Sequence, residues 1–246
     1  MPSADRRPGR TTAACGDGHP GAQGRPRRRL APDERERQIV AAAIDFFAEA
    51  GFGGRTRELS RRLGITQPLL YRYFPSKQDL IERVYRQVYI DRWDPEWERL
   101  LEDRAIPLRR RLIAFYARYT RAIFSPQWLR IYLHSGLVGV GFNRRYIARL
   151  EHRVLKRIGR ELRHEFGLPA PEAVPLGDEE LELVFVLQSA IFYYGVRKYV
   201  YRMKMRVNAA RAIEIAVDAL LEGAPGALRR VVGKQKKPTK LRKVGT

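Results

Sequence analysis

The stretch "GITQPLLYRYFPSK", residues 64–77, decides the fold. Gly64 supplies a turn. Thr66 is a helix cap, because its oxygen can accept a backbone N–H two or three residues on. Pro68 falls in the first helical turn, where a missing N–H costs nothing. Leu70 and Phe74 lie four apart and form one apolar stripe, and Pro75 stops the helix. A rod of about two turns is too short to be stable alone, so it must be carried by its neighbours. With Leu70 and Phe74 anchored, Gln67, Pro68, Leu69 and Arg72 lie away from the anchor or in the exposed first turn. Tyr71 and Tyr73 flank the stripe, where a ring can pack on protein while its hydroxyl reaches outward.

Upstream, a longer helix runs from Pro32 to Ala50, with Asp33 and Glu34 in its first turn and Gly51 at its end. Ile39, Ala43, Phe46, Phe47 and Ala50 form its apolar stripe. Thr56 then caps a short helix in which Leu59 and Leu63 face one way. Downstream, Ser76 with Asp79 three residues on opens a helix over 77–92. Two short capped helices joined by a glycine turn, resting on a longer first helix, form the helix-turn-helix pattern. The second helix of such a unit enters the major groove with its N-terminal residues first. The residue types suit base reading. Gln67 can bond bidentately to adenine, Leu69 can touch a thymine methyl, and Arg57 can fork onto guanine. Lys77 sits at a helix N-terminus, a place that favours phosphate.

Beyond "DRWDPEW" the helical periods lengthen, to about 95–104, 107–124, 126–139, 143–166, 178–203 and 208–222, and a domain boundary falls near Trp93. No run of alternating β-branched residues appears, so the fold class is all-α. The segments expected are a basic arm at 1–31, a helix-turn-helix domain at 32–92, a larger helical domain at 93–223 and a basic tail at 224–246.

The net charge is +21 over 246 residues. It is concentrated at the two ends: residues 1–30 hold 7 basic against 2 acidic residues, and residues 223–246 hold 8 against none. Such a balance points to a polyanion as partner. "RPRRRL" at 25–30 is placed either to reach a groove beside the first helix or to serve as a nonspecific solvated tail. The single cysteine, Cys15, rules out an intramolecular disulfide and fits a reducing cytoplasm. The first residues carry no apolar run of the signal-peptide kind. The longest apolar run, 183–196, is too short for a membrane span.

Residues 35–92 resemble the N-terminal domain of the TetR family of transcriptional regulators. The resemblance rests on Phe-x-x-x-Gly-Phe at the end of the first helix, then Thr-Arg-x-Leu, Leu-Gly-Ile-Thr, Leu-Tyr-x-Tyr-Phe and Ser-Lys, in that order and spacing. The turn from Gly51 to Arg57 is one residue shorter than the usual pattern. The resemblance implies DNA-reading roles for Arg57, Thr66, Gln67, Pro68, Leu69, Tyr71, Tyr73 and Lys77. It further implies a homodimer on a pseudo-palindromic double-stranded operator, and a small-molecule effector held in the C-terminal domain.

The residues support a dimer independently, because 183–196 is apolar almost all round, more than one packing face requires. The other reading of that run is a central core helix. A pocket is suggested by excess aromatics in the larger domain, most of which pack as core. Tyr116, Tyr119, Trp128, Tyr132 and Phe192 are the candidates for its lining. Arg109 to Arg111, Arg144 and Arg145 read as solvated surface, and His134 reads as a satisfied core or interface residue. Four dispersed histidines and one cysteine give no metal-ligand spacing, and no catalytic constellation or cofactor motif is present. The expected protein is a cytoplasmic DNA-binding regulator, a repressor in the family's usual mode. The competing reading is a nucleoid-type protein that holds nucleic acid nonspecifically through its basic ends.

Overall fold

The computed structural model describes residues 31–235 except Val140. The arm expected over 1–31 and the last residues of the expected tail lie outside this range, apart from Ala31. The described residues form eleven α-helices and no strand.

Helix α1 (Pro32–Ala50) is the axle of the N-terminal domain, burying Ile39, Val40, Ala43, Phe46 and Phe47. Gly51 ends it at φ 66°, and Phe52 turns inward onto Phe47, ring centroids 5.2 Å apart. Helices α2 (Thr56–Leu63) and α3 (Gln67–Tyr73) cross beneath it, joined by Gly64 in the left-handed region at φ 63°. Leu59 and Leu70 are fully buried in the core, anchoring both short helices, with α2 resting on α1 and α3 on α2. Thr66 caps α3 by accepting the Leu69 N–H, and Ser76 and Asp79 form a reciprocal capping box on α4 (Lys77–Tyr85). Thr56 does not cap α2: Arg55 holds that position without a side-chain bond, and Thr56 is the first helical residue. Its hydroxyl is committed elsewhere, as described below.

Helix α4 leads into the larger domain through a π-turn, Arg86–Ile90. A π-turn adds a residue to one turn and rotates the apolar stripe. Adjacent residues Val88 and Tyr89 are thereby both buried. The larger domain comprises α5 (Glu96–Glu102), α6 (Leu108–Ile123), α7 (Pro126–Val138), α8 (Phe142–Leu150), α9 (Lys156–Glu165), α10 (Asp178–Gly195) and α11 (Ala209–Gln235). The segment expected as one helix over 143–166 is α8 and α9 joined by a π-turn, Glu151–Leu155, which again buries two neighbours, Val154 and Leu155. The segment expected over 178–203 likewise ends in a π-turn, Val196–Val200.

Helix α11 departs most from expectation. Instead of ending at Gly223 it runs on through Gly223 and Pro225 to Gln235, so part of the expected tail is helix. Glycine and proline are poor helix residues, at roughly 1 and 3 kcal/mol relative to alanine. The stripe of Ile213, Val217, Leu220, Ala224, Leu228 and Val232 stays buried past both of them, and tertiary burial prevails over local preference.

Two buried ion pairs fasten the larger domain. Arg111, expected at the surface, is 2% exposed and donates to Glu161 at 2.8 Å and to the Leu101 carbonyl. Arg163 donates to both oxygens of Glu180 and to the carbonyls of Pro169, Val174 and Pro175, binding the 166–177 connection to α9 and α10. No described helix is long and apolar enough to cross a membrane.

Candidate nucleic-acid interface

The short helix α3 presents its leading edge to solvent. Thr66, Pro68, Tyr71 and Arg72 are exposed, while Gln67, Leu69 and Tyr73 are half-buried. Leu70 and Phe74 are the anchors. Gln67 and Tyr71 are positioned from the neighbouring helix. The Tyr71 hydroxyl lies 3.0 Å from Thr56 Oγ1, and Gln67 Nε2 donates to the same oxygen at 3.2 Å. Thr56 is thus the buried post that sets two side chains of α3, which explains why its hydroxyl is not free to cap α2. Tyr73 packs on the core, with the Arg72 guanidinium 5.8 Å from its ring centroid.

Beside this edge, Arg55 at the start of α2 and Arg57 and Arg61 on it lie along a concave strip shared with Ile65 and Gln67. These three arginines and Arg72 make no ion pair among the described residues, whereas Arg62, on the far side of α2, is held by Glu49 and Glu58. Four uncompensated guanidiniums beside an open helix N-terminus form an electropositive surface suited to phosphate and base-edge contacts. Arg55 and Arg61 were not singled out from the sequence. The signal was their spacing along one helical strip, readable once Arg57 is placed there.

Lys77 opens α4 and already has a partner within the protein. Its Nζ donates to the Phe52 carbonyl at 2.6 Å, closing the turn after α1 rather than pointing to solvent. The eight expected DNA-reading residues therefore divide. Arg57 and Gln67 line one concave strip, Tyr71 meets Gln67 on Thr56, Thr66 and Pro68 are exposed, Leu69 and Tyr73 are half-buried, and Lys77 is engaged with the backbone.

The interface is coupled to the larger domain by a tight joint. Phe52 meets Phe142 of α8 edge-on at 5.3 Å, and Arg145 forms a bidentate pair with Glu82 at 3.0 and 2.8 Å. The same Arg145 lies 4.1 Å from the centroid of the Tyr85 ring. His134 of α7 closes on Gly51, where an added Cβ would come within 3.1 Å of Nδ1.

The five aromatics expected to line a pocket belong to one connected cluster of rings, with Tyr132 and Phe192 half-buried. Tyr116, Tyr119 and Trp128 are fully buried, and Trp128 and Tyr132 stack with centroids 5.3 Å apart and planes 6° from parallel. Burial raises the Tyr116, Tyr119 and Tyr146 phenols, which stay neutral. A trough elsewhere in this domain, between α6, α10 and α11, is lined by none of the five. Helical spacing identifies packed rings without telling which of them face a void. Among the described residues no group of His, Cys, Asp or Glu is arranged to hold a metal.

Residues 39–84 match the family described as bacterial regulatory proteins, tetR family. The class A tetracycline repressor of transposon 1721 from Escherichia coli is 32% identical over 85 residues, which is 31% of this chain and 39% of that repressor. The regulator RutR of Escherichia coli K12 is 35% identical over 68 residues, 27% of this chain and 32% of RutR. The chain thus spans well under half the length of these relatives. Over the whole fold, a transcriptional regulator from Pseudomonas aeruginosa PAO1 superposes with a TM-score of 0.61 at 20% identity, covering 82% of this chain and 96% of that one. A tetR-family regulator from Streptomyces coelicolor gives 0.56 at 20% identity, with 84% and 88% covered. Residues 39–84 thus carry a helix-turn-helix sequence of the tetR-family type, and the all-helical fold is shared with these solved structures over most of the chain.

Proposed function

We propose that this protein is a dimeric, sequence-specific DNA-binding transcriptional regulator, a repressor released by a small molecule bound in its larger domain. The observation that carries the DNA-binding reading is the open edge of α3 beside Arg55, Arg57, Arg61 and Arg72, all without ion-pair partners among the described residues. The tetracycline repressor among its relatives supports the repressing mode by name.

Dimerisation is supported by one exposed apolar face. Val186 and Tyr193, seven residues apart on one face of α10, are 59% and 53% exposed. Helix α10 has Asp178 and Glu182 exposed in its first turns, and Lys198 is exposed at its far end. An antiparallel two-fold contact would set acid against base at both ends of a self-complementary patch.

Release is supported by a continuous run of rings between the domains. Phe124 contacts Trp128, Trp128 contacts Tyr89, Tyr89 stacks on Tyr85, Tyr85 meets Phe142, and Phe142 meets Phe52, at centroid separations of 6.0, 5.1, 5.2, 4.7 and 5.3 Å. A shift near Phe124 has packed matter to act through as far as the turn that Lys77 closes. The effector's differential affinity for two states would supply about 1–3 kcal/mol of coupling.

The test is selection of bound duplexes from a random library, followed by footprinting against excess random DNA. One enriched palindrome, with half-sites roughly 34–36 Å apart, is the expected result. Binding without enrichment would instead favour nonspecific, nucleoid-type association through the basic ends.

A further inference from the structure

A trough of about 560 Å³ opens between the C-terminal half of α6, the end of α10 and the first turns of α11. Small-molecule sites commonly occupy roughly 300–1,000 Å³. Its remaining wall is the non-helical segment 201–208, which is tied down at two points. The Tyr194 hydroxyl donates to the Val207 carbonyl at 2.9 Å, and the Met203 N–H donates to the Arg197 carbonyl at 3.0 Å. Arg202 turns that segment with a left-handed φ of 54°. The surface between these walls is mostly apolar, including Phe124, Ile191, Ile213, Ala216, Met203 and Met205. Methionines adapt to the shape of a bound apolar chain.

Charge gives the trough its direction. Arg121, Arg197, Lys204 and Arg206 belong to its lining, and no acidic residue does. None of the four has an ion-pair partner among the described residues. The nearby acids are already engaged, Glu214 by Arg211 and Asp218 by Arg109. The Arg197 guanidinium lies 5.5 and 5.9 Å from the Tyr193 and Tyr194 ring centroids, and its Nε is buried without a hydrogen-bond acceptor. Four like charges around a concave apolar surface focus a positive potential into it. An uncharged occupant would leave that potential unanswered.

We infer that this trough binds an amphipathic anion, with an alkyl tail along the apolar wall and a carboxylate-type head among Arg121, Arg197, Lys204 and Arg206. This names the chemical class of effector for the regulator proposed above, and rests on that reading for its consequence at DNA but not for binding itself.

The experiment is calorimetric titration of the full chain with decanoate below its micelle concentration, beside decyltrimethylammonium, which has the same tail and opposite charge. Decanoate is expected to bind at least about tenfold more tightly than the cation, by the strength of charge-assisted contacts. The double variant Arg121→Gln/Arg206→Gln should lose about tenfold of that affinity. Ala216→Phe, which fills the trough, should abolish binding, with circular dichroism confirming that each variant folds. Equal affinity for the two amphiphiles, or decanoate binding unaltered by both variants, would overturn the inference. So would failure of either amphiphile to bind while Ala216→Phe disrupts self-association, because the trough would then be covered by a second copy. Footprinting of the ligand-free protein runs in parallel: an intact footprint without decanoate binding sinks this inference alone, whereas a lost footprint sinks the regulator reading.

Discussion

The Tyr71 hydroxyl lies 3.0 Å from Thr56 Oγ1, fastening the exposed edge of α3 to the buried first residue of α2. Gln67 reaches the same oxygen, so one threonine positions two of the side chains expected to meet bases. The geometry separates what holds the interface from what reads with it.

Tyr71→Phe removes one of two bonds to Thr56 and leaves the ring in place. A net hydrogen bond is worth about 1 kcal/mol, and Gln67 remains on Thr56, so stability read from urea unfolding should fall by no more than that. Operator affinity should fall further, by about tenfold, because the edge of α3 loses a fixed point and a polar group together. Arg72→Ala contrasts with it. The exposed guanidinium touches only the Tyr73 ring, so stability should hold while the slope of log K against log[salt] becomes shallower by about 0.9.

Lys77 supplies a sharper case. A lysine at a helix N-terminus ordinarily suggests a phosphate contact, but this one donates to the Phe52 carbonyl. Lys77→Met is therefore expected to cost about 1 kcal/mol of stability by freeing that carbonyl. The salt slope of DNA binding should stay at the parent value. A slope shallower by about one unit would show that the ammonium leaves Phe52 for the duplex.

The division between what was legible in the sequence and what was not follows the range of the interactions. Thr66, Pro68, Gly64 and the Ser76–Asp79 capping box act within four residues of themselves, and each stands where its local chemistry puts it. The burial of Arg111 depends on Glu161, fifty residues away, so a run of three arginines reads as surface until its partner is known. Lys77 is likewise turned inward by a carbonyl twenty-five residues upstream. Helix α11 passes Gly223 and Pro225 because a stripe of buried residues from several turns outweighs two local breakers. The aromatic residues were identified as a cluster, but the trough draws its walls from α6, α10, α11 and the 201–208 segment, a combination that no single period in the chain encodes.

Glu161, which is buried, and Asp218, beside Arg109, are carboxyls of the larger domain held below their usual range. Burial pushes the Glu161 pKa up, but hydrogen bonds from Arg104 and Arg111 outweigh that effect, and the net shift is downward. A carboxyl lowered by folding contributes stability that is complete above its unfolded value, about 4.3, and is lost as pH falls through the folded value. Urea midpoints should therefore hold from neutrality to about pH 5 and decline below about 4.3. Glu161→Gln should flatten that decline. At pH 7 it should also cost about 3 kcal/mol, because Arg111 would stay buried without its counter-charge.

The dimer proposed above rests on the exposed apolar side chains of α10. Val186 and Tyr193 lie seven residues apart on α10, two turns along one face. Isolated exposed apolar residues are ordinary; two large ones aligned along one helix face point to an interface. Tyr193→Asp leaves the buried anchors Ile191 and Tyr194 untouched, so each protomer should keep its helical content. Sedimentation should nevertheless move from dimer to monomer, and binding to a full palindrome should drop to the level of a half-site. A variant that still sediments as a dimer would assign α10's exposed face to another partner and require a different two-fold contact.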